Sequence, residues 1–117
     1  MSESILQEKS YNFALRIVNL SQFLNNEKRE FVLSRKVLDS GTAIGSLIEE
    51  ARQGENRPDF TQKLSLANKE AFKTHYWLRL LRDSKQISES QAASMLENCE
   101  ELKKMLISSL KTSRGIE

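Results

Sequence analysis

Apolar residues recur along this chain at spacings of three and four, the pattern of helices with one buried face. Four such segments follow one another. Over residues 3–24 the repeating set is Phe13, Ala14, Ile17, Leu20, Ser21 and Leu24. Over residues 27–53 the late set is Ile44, Leu47, Ile48 and Ala51. Asn25 or Asn26 is the expected cap of this second segment, Glu27 suits its first turn, and Gly54 ends it. A third segment, 58–84, opens on Pro58, tolerated in a first turn, and Asp59, whose charge suits the positive end of the helix dipole. A fourth, 89–112, has Ser88 and Gln91 in a capping box, Ile87 placed to staple onto Ala92, and a stripe of Leu96, Cys99, Leu102, Leu106 and Leu110. The links, about residues 25–26, 54–57 and 85–88, are short, so successive helices run antiparallel. The pattern predicts one all-α domain over residues 1–117, an antiparallel up-down-up-down four-helix bundle.

Two stretches depart from this simple pattern. On a helical wheel Phe60, Leu64, Ala67, Ala71, Thr74, Leu78 and Leu81 share the core stripe of the third helix. Leu66, Tyr76, Trp77 and Leu80 fall on other faces, and Phe72 lies nearly opposite the core. A helix apolar on several faces is usually buried on several faces, and aromatic patches on soluble proteins mark partner surfaces. The expectation is self-association through Leu66, Phe72, Tyr76, Trp77 and Leu80. The competing expectation is that neighbouring long side chains cover the patch within one subunit.

The second departure is DSGTAIGSLIEEARQG, residues 39–54. Glycine costs roughly 1 kcal/mol against alanine in a helix interior, yet Gly41 and Gly45 stand four apart in the second helix. No strand precedes them and no Lys-Ser/Thr pair follows, which excludes a phosphate loop. Asp39, Glu49, Glu50 and Arg52 exclude a membrane dimerisation motif. What remains is a flat stripe for close helix packing, either within the bundle or across subunits, with Glu49 and Glu50 as polar partners at a helix or subunit boundary.

Composition narrows the class further. The 117 residues are 38% apolar and 29% charged, with four glycines, one proline and one cysteine, which suits a single helical domain and excludes an internal disulfide. No apolar run is long enough to span a membrane, and the first residues lack the basic start and apolar stretch of a signal peptide. A reducing cytoplasmic setting is expected, with no membrane partner. The net charge of +2 permits an acidic partner without demanding one.

Catalytic and metal chemistry find little to work with. His75 is the only histidine, which excludes the paired Glu-x-x-His motifs of a di-iron bundle; three residues before it stands Phe72. No third group accompanies a Cys99–His75 pair. No catalytic residue, metal or cofactor is assigned. The enzyme or ligand-binding alternative would use His75, Glu70 and Glu50, although Glu70 and His75 lie about 140° apart around one helix. Basic residues are spread over all four helices; if nucleic acid binds, Lys69, Lys73, Lys103 and Lys104 are the expected contacts.

The stretch Ser40…Ile44…Leu47-Ile48-Glu49-Glu50-Ala51, with LANKEAFKTHYWLRLL at 66–81, resembles the bacterial four-helix bundle proteins. Some of these are encoded in intervening sequences of large-subunit ribosomal RNA genes, and the group includes the accessory variability determinants of diversity-generating retroelements. The resemblance covers roughly residues 10–110. It implies an up-down bundle that assembles as a homopentameric ring and, in one branch, an accessory that binds a reverse transcriptase and nucleic acid. With the apolar third helix and the missing catalytic constellation, the expected function is a non-enzymatic oligomeric scaffold. That branch is strongly basic, whereas this chain is nearly neutral. The alternative function is a protein-interaction module with no nucleic-acid role.

Overall fold

A computed structural model describes residues 2–115, with side chains from residue 5 onward. Four helices account for nearly all of it: α1 Ser2–Asn26, α2 Val32–Arg52, α3 Arg57–Asp83 and α4 Glu89–Ser113. The molecule measures 44 × 23 × 20 Å, so each helix runs most of its length. Each helix packs on its neighbours in sequence, and α4 returns to α1. No backbone approach joins α1 to α3 or α2 to α4, so these pairs stand on the diagonals of an antiparallel four-helix bundle.

The buried stripes build one core. Leu6, Phe13, Ile17, Leu20 and Leu24 come from α1, and Val37, Ile44, Ile48 and Ala51 from α2. Leu64, Ala67, Ala71, Leu78 and Leu81 come from α3, and Ala92, Met95, Cys99, Leu102, Leu106 and Leu110 from α4. Phe60 and Leu96, expected in the stripes, are half-buried at their margins.

The first link differs from the expectation. Helix α1 runs through Asn25 and Asn26, and Glu27 donates its amide to Phe23 O (2.8 Å), closing the last turn of α1 rather than opening α2. Arg29 then reverses the chain in the left-handed region at φ 53°. Helix α2 starts at Val32, five residues later than 27. Its cap is the Glu30 carboxylate, which accepts from Leu33 N (3.2 Å) and Ser34 N (2.9 Å). A carboxylate in that place also suits the positive end of the helix dipole.

The other ends follow local rules. Asn56 caps α3 by accepting from Asp59 N, with Pro58 in the first turn. Ser88 and Gln91 form the reciprocal capping box of α4. At the end of α3, Gln86 N donates to Leu81 O and Lys85 N to Arg82 O, with Lys85 at φ 68°. This is the Schellman arrangement, with lysine where glycine is usual. Gly54 follows α2 where a Cβ would meet Ala51 O and Asp59 Oδ2 at 3.0 Å, so crowding rather than backbone conformation calls for glycine.

Candidate assembly surface

The small residues of α2 serve two neighbours at once. A Cβ on Gly41 would stand 2.7–2.9 Å from three carbons of Ile17 on α1, and one on Gly45 would meet Ser10 O at 3.4 Å. One turn-face away, the Ser40 hydroxyl is hydrogen-bonded to that of Thr74 on α3 (2.9 Å), and both are buried. Near the other end of the same crossing the Ser21 and Ser34 hydroxyls pair at 2.8 Å. The two glycines therefore face a helix of their own chain. Glu49 and Glu50 also stay inside the subunit, Glu49 accepting from Gln7 of α1 and Glu50 paired with Lys63 of α3 (3.0 Å).

The outer face of α3 is apolar and basic together. Phe72 and Tyr76, one turn apart, are 49% and 48% exposed, and Leu66 is 36% exposed. Trp77 and Leu80 are half-buried, Trp77 packing against the subunit's own core. Each ring has a cation over it: Lys103 Nζ is 4.1 Å from the Phe72 centroid, Lys36 Nζ 5.4 Å from Trp77 and Arg79 Cζ 5.6 Å from Tyr76. Tyr76 and Trp77 meet edge to face at 5.1 Å. Cations over ring faces satisfy the quadrupole while leaving ring edges open: neighbours of the same subunit cover part of this surface and leave Phe72 and Tyr76 half in water.

The four lysines singled out for nucleic acid do not act alike. Lys73 pairs with Glu70 (3.3 Å) and Lys103 with Glu100 (3.0 Å). Lys69 is exposed on the outer face of α3, whereas Lys104 lines a groove at one end of the bundle.

The alternative catalytic set is dispersed. His75 Nε2 lies 3.3 Å from Glu100 Oε2 of α4, not beside Glu70 or Glu50, which hold Lys73 and Lys63. Desolvation, then the Lys103 charge, lowers the His75 pKa from its ordinary 6.5, with Glu100 opposing. Lys103, through its hydrogen bond, holds the Glu100 carboxyl below the usual range. Cys99 is buried, its Sγ donating to Ala71 O (3.3 Å), and burial pushes the thiol up to about 12. A thiol held protonated is a poor nucleophile and a poor metal ligand. Among the described residues no cluster of three histidine, cysteine or acidic side chains could hold a metal, and no helix is long and apolar enough to cross a membrane.

Comparison with known proteins adds three findings. No curated protein matches the chain significantly. The crystal structure of a protein of unknown function from the S23 ribosomal protein family of Bacteroides thetaiotaomicron is similar throughout: 47% identity, a TM-score of 0.94, and coverage of 95% of this chain and 99% of that one. The model of the family described as 23S rRNA-intervening sequence protein matches residues 2–108. On that match the chain belongs to the 23S rRNA-intervening sequence protein family.

Proposed function

We propose that this protein is a non-enzymatic scaffold that assembles with copies of itself through the outer face of α3. The observation that carries the reading is the half-exposed pair Phe72 and Tyr76, with Leu66, on a helix whose opposite face is already sealed in the core. A second apolar pair supports a particular geometry. Tyr11 and Leu15 are exposed one turn apart on α1, the helix diagonally across the bundle from α3. Two unlike patches on opposite sides favour head-to-tail contact, and such contacts close into rings when the rotation per copy allows. A pentamer is the ring size that the family resemblance implies. A nucleic-acid or reverse-transcriptase partner draws less support, because Lys73 and Lys103 already hold carboxylates of their own chain.

Light scattering coupled to size-exclusion chromatography tests the assembly. The wild-type chain is expected to give a multiple of 13.5 kDa at micromolar concentration, and the Phe72→Glu/Tyr76→Glu variant a single copy. A monomeric wild type would reject the reading.

A further inference from the structure

Three of the four seams of the bundle close by direct packing; α1 and α4 meet least. Along the middle of that seam long polar side chains span the gap, with Lys9 on Glu101 (3.2 Å) and Arg16 on Asn98 and Ser94. Toward the end where α1 and α3 begin and α4 finishes, the seam opens into a groove of about 890 Å³. That volume lies in the range of small-molecule sites.

The lining divides by chemistry. Ile5, Phe60 and Met105 supply apolar surface. The last turns of α4 present a row of hydroxyls, among them Ser108, Ser109 and Thr112. Lys104 and Arg57 supply positive charge, and Arg57 is held on the wall by its bond from Nη1 to Ser113 O (3.1 Å). Among the described residues no carboxylate lines the groove, although Asp59 Oδ2 lies beside the lining Gly54, 3.0 Å from where a Cβ on it would stand. The start of α3 also points its positive end here, with Asn56 and Arg57 on the wall.

We propose that this groove binds a small amphiphilic anion. An aromatic or medium-length aliphatic body lies against Phe60, Met105 and Ile5, and a sulfonate, carboxylate or phosphate head sits at Lys104 and the hydroxyl row. The apolar surface alone would take a neutral ligand equally well; Lys104, Arg57 and the hydroxyl donors select the anion. The site lies on the α1–α4 side, so it does not depend on the assembly face of α3.

Two fluorescent probes test it on the full chain: anilinonaphthalene sulfonate, and its uncharged relative phenylnaphthylamine. Saturable binding of the sulfonate near one per chain is expected. Lys104→Glu should weaken the sulfonate about tenfold or more and the uncharged probe by less than about twofold. Ser109→Trp, which fills the groove, should weaken both, while Tyr76→Glu should weaken neither. Circular dichroism melting identifies any variant that has lost its fold; the exposed Lys104→Glu change keeps the test open if Ser109→Trp does not fold. No saturable binding, equal effects of Lys104→Glu on both probes, or loss of binding in Tyr76→Glu alone would each overturn the proposal.

Discussion

Helix α1 meets its two neighbours by opposite means. Against α2 it uses absence: Gly41 leaves room for Ile17, Gly45 for the backbone at Ser10, and a pair of serines bonds hydroxyl to hydroxyl. Against α4 it uses reach: Arg16 and Lys9 extend across a wider gap to Asn98, Ser94 and Glu101. Small residues give dense dispersion contact, which at Gly41 leaves no room for an added atom. Long polar side chains give a few exchangeable bonds, partly wet and cheap to lose. The same helix is therefore rigidly held on one side and loosely tethered on the other.

The largest break in this contrast is expected at Gly41. Gly41→Val would push into Ile17, and overpacking of this kind costs about 3 kcal/mol. Urea denaturation should show the loss, and a double-mutant cycle with Ile17→Ala should show strong coupling, because a shorter side chain makes room. Gly45→Ala should have the opposite sign. Its Cβ meets Ser10 O at 3.4 Å, an ordinary contact, so the gain in helix propensity of about 0.5 kcal/mol survives. Next in size is the tethered side. Arg16→Ala removes bonds to Asn98 and Ser94 and should cost about 1 kcal/mol in the same assay.

The smallest effect belongs to the α3–α4 seam, which is intermediate between the two. His75 is harder to protonate in the fold than in the unfolded chain, so its contribution is present above its ordinary pKa of 6.5 and declines as pH falls through that value toward the lowered one. Melting temperatures measured from about pH 7 to about 5.5 should fall less in His75→Gln than in the wild type. Glu100, whose folded pKa is depressed, acts in a separate and more acid window, below its ordinary 4.5.

The helices were legible because burial imposes its period directly on the sequence. The stripe Leu64, Ala67, Ala71, Thr74, Leu78 and Leu81 is buried as the spacing requires. The start of α2 was not legible. Asn25 and Asn26 have the chemistry of caps, but the carboxylate of Glu30 does the capping from outside the helix, after a left-handed Arg29 that propensity would not place there. The partners of the candidate residues were hidden for a different reason. Periodicity fixes which face a side chain is on, not its height against the next helix. The pairing of His75 with Glu100 and the seating of Lys103 over Phe72 depend on that register. The direction in which Gly41 and Gly45 point was open on the same ground.

The loose seam has a consequence for how the chain folds. Every well-packed pair of helices is adjacent in sequence, joined by five residues or fewer, so each can form with little loop-closure entropy. Only the meeting of α1 with α4 joins distant parts of the chain, and it is the meeting with the least to gain. The bundle can thus zip from neighbour to neighbour and bring its first and last helices together as the final event. In the native state the same pair is where the bundle is expected to open most readily, so amide hydrogens along it are expected to exchange first.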